Sequence, residues 1–171
     1  STDGAGAFLF DGTNEAMTIP IYGTWSAISF DFWAYFDDAT LSLTSRNESV
    51  FGDWTSNNNH FAVRWSVGFH WNVNSGWNAI TATGLKYGWN HYALIWDNNS
   101  NSKKVYLNNL LVSSQGTNGT FKITSGNFAI GVAPALNYYY RGGLASFKIY
   151  DRALSASEVG QNYLATSLRY T

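Results

Sequence analysis

The sequence predicts an all-β fold, a two-sheet antiparallel β-sandwich with one short helix near the C-terminus. Aromatic residues make up 18% of the chain and charged residues only 12%, a balance typical of short strands around a wide aromatic core. Apolar and polar residues alternate strictly over residues 61–74, which is the period of a strand. A helix-capping pattern follows the last strong strand. We expect the 171 residues to form one domain, residues 1–171.

The first half of the chain reads as short strands separated by turn residues. We expect strands at residues 7–10, 16–20, 27–36, 50–54, 61–73 and 78–82. The strand at 27–36 is aromatic on both faces after Trp33, so its far end should be deeply buried. The run at 61–73 is long for one strand and alternates as if one face were covered, so we expect a bend or hairpin near residues 66–68.

Residues 89–112, WNHYALIWDNNSNSKKVYLNNLLV, are predicted to form the centre of an antiparallel sheet. Residues 89–96 are apolar on both alternating faces, which indicates a strand covered on both sides. Residues 97–102 contain only Asp, Asn and Ser, so the chain should reverse there. Asn108 and Asn109 lie where a two-residue hairpin turn needs positive φ, which Asn tolerates.

Three more strands are expected at residues 121–124, 127–132 and 142–150. Directly after them, Ser155 and Glu158 form a capping box, and Leu154 and Val159 form a hydrophobic staple. These signals predict a helix over residues 156–163.

Charge and hydropathy exclude several classes of partner. The net charge is −1 and the chain has no basic run, so we expect no nucleic-acid partner. No apolar run approaches the roughly 18 residues of a membrane helix, so we expect no membrane insertion. The absence of cysteine excludes disulfides and thiolate metal sites.

A series of motifs resembles a known family. In chain order they are FDG, AISFDFWAYF, GWNHYALIWD, VYLNNLLV, FAIG and GGLASFKIYDRALSASEV. They resemble the LamG-like, concanavalin A-like jelly roll, which occurs in secreted bacterial enzymes, adhesins and viral structural proteins. The resemblance implies a jelly-roll sandwich at an extracellular or surface-exposed location, either secreted or part of a virion. Where the family usually has acidic residues in its closing strand, this chain has Ala145 and Ser146, and Asn109 replaces a usual turn glycine.

Catalysis is not expected. Glycoside hydrolases of this fold need paired carboxylates on one strand, and neither Glu15 nor Glu48 lies in an alternating acidic strand, while Glu158 serves as a helix cap. The histidines lack HxH or HxxxH spacing and are interpreted as hydrogen-bonded strand residues: His60, His70 and His91.

The aromatic and polar content of the expected rim points to sugar recognition. A sugar ring has an apolar face and a fringe of hydroxyls, so its site combines flat aromatic rings with planar polar groups. The candidate ligand-binding residues are Asp53, Trp54, His70, Asn72, Trp77, Tyr138, Tyr139, Tyr140 and Arg141. Trp65 and Trp96 are assigned to the core instead.

Calcium is a candidate cofactor, because hard oxygen ligands occur at Asp11, Asp53 and Asp97. The alternative is that these loops are only polar turns, and the missing acid of the closing strand favours that alternative.

The sequence therefore predicts a non-catalytic lectin-like module whose partners are glycans or cell-surface polysaccharide. The alternative is a structural, decoration or adhesion domain of a viral particle or surface fibre, whose partners are proteins in a larger assembly.

Overall fold

The computed structural model describes residues 6–36, 48–53, 59–64, 68–73, 80–82, 87–117, 119–123, 128–133 and 138–170. In chain order the strands are β1 (Phe8–Asp11), β2 (Met17–Ile19), β3 (Gly23–Trp25), β4 (Ala27–Phe36), β5 (Glu48–Asp53), β6 (Asn59–Arg64), β7 (Gly68–Asn72), β8 (Ile80–Ala82), β9 (Gly88–Asp97), β10 (Ser102–Leu107), β11 (Leu110–Gln115), β12 (Phe121–Ile123), β13 (Phe128–Ile130), β14 (Val132–Ala133), β15 (Tyr138–Tyr139) and β16 (Arg141–Tyr150). They are followed by the helix α1 (Ala156–Ser167). None of the described helical structure is long and apolar enough to span a bilayer.

Two six-stranded antiparallel sheets form the sandwich. Sheet A has the order β1-β16-β4-β9-β10-β11, and sheet B has the order β2-β13-β5-β6-β7-β8. Two short pairs, β12 with β3 and β14 with β15, complete the arrangement. The all-β sandwich with a C-terminal helix, predicted from the sequence, is confirmed.

Aromatic rings from both sheets meet in the core between them. Phe30 and Phe32 of sheet A lie 5.1 and 5.4 Å, centroid to centroid, from Phe51 of sheet B. Phe32 also contacts Phe61 of sheet B at 5.4 Å. All four rings are buried. The high aromatic content of the sequence therefore fills the space between the sheets.

Helix α1 and the turn before it cover the outer face of sheet A. Ala93, Ile95 and Tyr106 pack there against Leu154 and Val159. Because its other face lines the core, β9 is buried on both sides, as its two-sided apolar pattern predicts.

The helix begins at the predicted cap. The Ser155 amide donates to Glu158 Oε2 (2.8 Å), and the Glu158 amide donates to Ser155 Oγ (3.3 Å), which completes the capping box. Hydrogen bonds from Arg152 and Ser155 lower the pKa of Glu158 to about 2. The helix continues past residue 163, its expected end, because Tyr163 and Thr166 still contact Trp33 of sheet A.

The predicted asparagine turns are confirmed. Asn108 and Asn109 have φ of 48° and 66° between β10 and β11. Asn101 has φ 48° in the turn between β9 and β10, where Asp97 Oδ1 accepts a hydrogen bond from the Asn99 amide (3.1 Å). Asn tolerates this left-handed region better than other residues with a side chain.

The strand expected at 61–73 is two antiparallel strands, β6 and β7, which pair from His60 with Asn72 to Arg64 with Gly68. The antiparallel pairing of β6 with β7 agrees with the expected hairpin. The expectation of a single covered face is wrong, because Ala62 and His70 are buried together with Phe61. Trp65 lies outside the described residues.

Candidate functional site

Three of the predicted sugar ligands lie outside the part that the structure describes. Trp54 and Trp77 fall in undescribed segments, and for Asn72 only the backbone, in β7, is described. Their role in binding stays a prediction.

Three other predicted ligands are buried, which corrects their assignment to an exposed rim. Tyr140 and Asp53 are fully buried, and His70 is 8% exposed. Tyr140 faces inward because its ring packs between Phe10 and Phe36, at 5.8 and 5.7 Å. Asp53 and His70 are covered within the paired strands of sheet B. None of the three offers a sugar an open surface.

The Tyr140 hydroxyl anchors the chain segment that immediately precedes β16. It donates to the Tyr35 carbonyl at 2.7 Å and lies 3.1 Å from the Gly143 carbonyl. Gly142 permits this close approach, because a Cβ there would lie 2.2 Å from the Tyr35 oxygen and 2.6 Å from the Tyr140 hydroxyl. Tyr140 therefore positions its neighbours Tyr139 and Arg141.

We expect Tyr140→Phe to lower the free energy of unfolding by about 1 to 2 kcal/mol, because the two carbonyls lose a buried donor. Urea denaturation of the variant and the wild type measures the difference. An unchanged midpoint would contradict the anchoring role.

The remaining predicted ligands, Tyr138, Tyr139 and Arg141, are accessible. The two tyrosines are half-buried in β15, which pairs with β14, and Arg141 is exposed at the start of β16. Strand side chains alternate in direction, so the inward Tyr140 leaves Tyr139 and Arg141 on the other side of the strand, whereas Tyr138 shares the side of Tyr140.

Acidic residues surround Arg141. Asp11 is its register partner across β1 and β16, and a Cβ on Gly12 would lie 3.0 Å from the Arg141 Cβ. Glu48 lies in β5 of sheet B, and its Oε2 accepts a hydrogen bond from the Arg141 amide (3.0 Å). We call Asp11, Glu48, Tyr138, Tyr139 and Arg141 the Arg141 edge.

Glu48 is the residue of this edge that sequence reasoning does not predict as a ligand. Its side chain is almost fully buried, and it lies 93 residues before Arg141 in the chain. No motif spacing connects the two positions, so only the fold could bring them together.

The Asp11 carboxylate is held ionised within its own turn. Its Oδ1 accepts a hydrogen bond from the Thr13 amide (2.8 Å). Hydrogen bonds from the Thr13 side chain and backbone lower the pKa of Asp11. The Asp11 amide in turn donates to Glu15 Oε2 (2.9 Å). The Arg141 edge thus combines two phenol rings, a guanidinium group and fixed carboxylate acceptors.

The residues that the structure describes contain no cluster of three or more His, Cys, Asp or Glu side chains that could hold a metal ion. Asp97 accepts from the Ser100 hydroxyl (2.6 Å), and Asp11 caps its own turn, so both serve the alternative role that the sequence allows. Asp53 is buried in β5.

His91 has a structural environment. Its Nε2 lies 3.1 Å from Asp31 Oδ2, and both side chains are buried beneath α1. Asn162 of the helix donates to the same Asp31 oxygen at 3.1 Å. These contacts lie between the helix and sheet A and give the buried His91 ring an acidic neighbour, whereas the side-chain hydrogen bond expected for His91 is not formed.

Comparison with known proteins identifies the fold. The family described as the concanavalin A-like lectin/glucanases superfamily matches residues 11–160. No curated protein sequence matches the chain significantly.

Solved structures are similar at low identity. They include a heptameric SAP-like pentraxin from Limulus polyphemus, with TM-score 0.67, 14% identity and coverage of 93% of this chain and 82% of that one. The ligand-binding domain of botulinum neurotoxin serotype D, in complex with N-acetylneuraminic acid, has TM-score 0.77 at 15% identity, with coverage of 95% of this chain and 43% of that one. Trypanosoma rangeli sialidase, in complex with the inhibitor DANA, has TM-score 0.70 at 14% identity, with coverage of 96% and 28%. The chain thus spans most of the pentraxin but less than half of the toxin domain and the sialidase.

Proposed function

The chain belongs to the concanavalin A-like lectin/glucanase superfamily, and from that premise we propose that it is a non-catalytic glycan-binding module. The Arg141 edge is its binding site. The observation that carries the proposal is the accessible Tyr139 on the same side of the strand as an exposed Arg141 that has Asp11 opposite it.

The chemistry of the edge suits a sugar ring. A phenol ring offers a flat face for the apolar side of a pyranose, and the half-buried state of both tyrosines limits the side-chain entropy lost on binding. The Arg141 guanidinium presents several donors in one plane, and the Asp11 carboxylate accepts from hydroxyls. The neurotoxin domain of the same fold is in complex with N-acetylneuraminic acid, an acidic sugar. That likeness supports a glycan as ligand.

The proposed site is shallow, so each contact should be weak. Several copies on a larger assembly would raise the avidity for a polysaccharide or cell surface. An extracellular or virion-surface location fits such a role, and we include it in the proposal.

The carboxylates of the edge favour binding over hydrolysis. Glu48 Oε2 accepts from the Arg141 backbone, and the Asp11 carboxylate accepts from Thr13, so both hold the local structure. The similar sialidase shows that a chain containing this fold can be an enzyme. A release assay on bound glycans tests the non-catalytic proposal, and appearance of free sugar would contradict it.

A glycan array tests the binding site. Wild-type protein should bind a discrete set of glycans, and Tyr139→Ala or Arg141→Ala should reduce binding about fivefold to thirtyfold, because each removes a contact worth about 1 to 2 kcal/mol. Tyr22→Ala, at a tyrosine that is 73% exposed between β2 and β3, is the matched control and should bind like the wild type. Equal binding by all three variants would contradict the assignment.

A parallel array with chelator tests calcium. We expect the same glycans to bind, since the described carboxylates form no metal cluster. Loss of binding in chelator would restore calcium as a cofactor.

A second function, a structural or adhesion module that binds protein, is favoured by β11. This strand lies at the edge of sheet A, and its Leu110, Leu111 and Val112 are 70%, 51% and 37% exposed. Exposed apolar edge strands pair readily with another chain. Light scattering over a concentration series tests this function: a stable oligomer that buries the Tyr138–Arg141 segment, with a silent glycan array, would favour it over a lectin.

A further inference from the structure

A cavity opens between the two sheets where β1 and β16 of sheet A face β2 and β13 of sheet B. Its volume is about 200 Å³. Apart from Ser146, the larger side chains around it are apolar: Phe8, Met17, Ile19, Ile130, Leu144 and Phe147. Water in such a cavity would find few hydrogen-bond partners, so the cavity favours apolar matter.

A β-bulge in β16 shapes one wall of the cavity. The register between β16 and β4 shifts between Ala145 and Lys148, and Ser146 in the bulge has φ 49°. A residue with a side chain in the left-handed region is uncommon and signals a local constraint. Bulges interrupt the ladder and re-aim neighbouring side chains, often beside functional sites. Here Phe147, next to Ser146, packs against the core between the sheets.

The mouth of the cavity is open to solvent. Phe8 is 49% exposed, and Met17 and Ile19 are half-buried, whereas Ile130 and Leu144 at the back are buried. An exposed phenylalanine beside an apolar cavity leaves hydrophobic surface that a ligand could cover.

A second cleft, with both apolar and polar lining, adjoins this mouth. The cleft has a volume of about 340 Å³, shares Phe8 and Met17 with the cavity, and includes Asn14 and Glu15. Along β1, Phe8 and Asp11 are three residues apart, so their side chains lie on opposite faces of sheet A, and it is Phe8 that lines the cavity. The polar group of a chain-bearing ligand would therefore lie in this cleft beside Asn14 and Glu15, and not at the Arg141 edge.

We propose that the cavity binds an unbranched alkyl or acyl chain whose polar head group lies in the adjoining cleft. A methylene takes up roughly the 30 Å³ share of a liquid water molecule, so the cavity holds about seven carbons. This inference rests on the cavity and the cleft, and it does not depend on the proposed glycan site.

Calorimetry with two homologous series of ligands, which differ in their polar head group, measures how the affinity depends on the length of the alkyl chain. One series is methyl, butyl, hexyl, octyl and decyl β-D-glucoside, and the other is 1,2-butanediol, 1,2-hexanediol and 1,2-octanediol, all below their micelle concentrations. In both series we expect the affinity to rise about threefold to fourfold per added methylene. The rise should level off near seven or eight carbons.

Filling variants place the effect in the cavity. Met17→Phe and Ile19→Phe add bulk to its wall and should remove the dependence on chain length in both series. Thr18→Phe is the matched control, because Thr18 is exposed on the opposite face of β2, and should keep the dependence. Thermal melting checks that each variant is folded.

The outcomes distinguish the two proposals. An affinity independent of chain length, or a dependence that persists in both filled variants, would overturn the cavity assignment even if methyl glucoside binds. Chain-length dependence with the diols, combined with a silent glycan array, would uphold the cavity while the glycan function fails.

Discussion

Replacing Lys103 with methionine is expected to raise the free energy of unfolding by about 3 kcal/mol at pH 6. Lys103 is fully buried between the sheets, with its Nζ 3.4 Å from the Trp71 carbonyl and 5.3 and 5.9 Å from the centroids of the Trp71 and Trp96 rings. No carboxylate is among these contacts. Burial lowers the pKa of Lys103 from 10.5 to about 7.

The pH dependence follows from the lowered pKa of Lys103. Between pH 7 and 10.5 the unfolded chain holds a proton on Lys103 that the folded chain lacks, so the free energy of unfolding rises with pH in this window. A tenfold change in proton affinity corresponds to about 1.4 kcal/mol, so the whole window corresponds to about 5 kcal/mol. Contact with the two indole faces stabilises the charged form of Lys103 and offsets part of this destabilisation. The expected net gain in the free energy of unfolding for methionine is therefore about 3 kcal/mol. The advantage of methionine should therefore be largest below pH 7 and fall below about 1 kcal/mol by pH 10.

Urea denaturation of both proteins from pH 6 to 10 measures the difference. Lys104→Met, at the half-buried neighbouring lysine, is the matched control and should change the free energy by less than about 0.5 kcal/mol. Equal stability of Lys103→Met and the wild type at every pH would mean that the Lys103 ammonium is solvated in the folded protein.

Truncating Trp33 to alanine is expected to lower the free energy of unfolding by about 4 kcal/mol, because the change leaves a large cavity. Trp33 of β4 packs against α1 and is only 1% exposed. Its indole Nε1 donates to Thr166 Oγ1 (2.9 Å), and its ring lies 5.8 and 5.0 Å from the rings of Tyr163 and Tyr170. Loss of these contacts should also release the helix from sheet A, and hydrogen exchange of the α1 amides should accelerate.

Thr166→Val isolates the hydrogen bond from the packing. It keeps the shape of the side chain, removes the indole's acceptor, and should lower the free energy by only about 1 kcal/mol. If Trp33→Ala costs no more than Thr166→Val, or if exchange of the α1 amides is unchanged, the helix does not depend on Trp33 for its docking.

The fold could be predicted from local patterns. The apolar residues on both faces of β9, the positive-φ asparagines at 108 and 109, and the Ser155 capping box each depend on residues close together in the chain. Such signals reflect backbone preference and side-chain periodicity, which the sequence carries directly. Local patterns predict too short a helix α1, because its second half is held by contacts with Trp33, a residue 133 positions from Thr166.

The candidate site could be predicted only in part. The run of three tyrosines marks an accessible segment, but alternation alone does not say which face is the core, and Tyr140 is the one that points inward. Glu48 comes from a strand that is distant in the sequence. One wall of the apolar cavity is shaped by the bulge at Ser146, and no sequence pattern indicates a bulge at this position. These features depend on how strands pair across the sandwich.

The most direct test of the glycan site is an amide chemical-shift titration of the ¹⁵N-labelled protein with the strongest ligand of the array. We predict that the perturbed amides cluster at Asp11, Glu48 and Tyr138 to Arg141, and that Arg141→Ala removes the perturbations. Perturbations confined to other surfaces, or an array without any bound glycan to titrate, would contradict the assignment of the Arg141 edge as a lectin site.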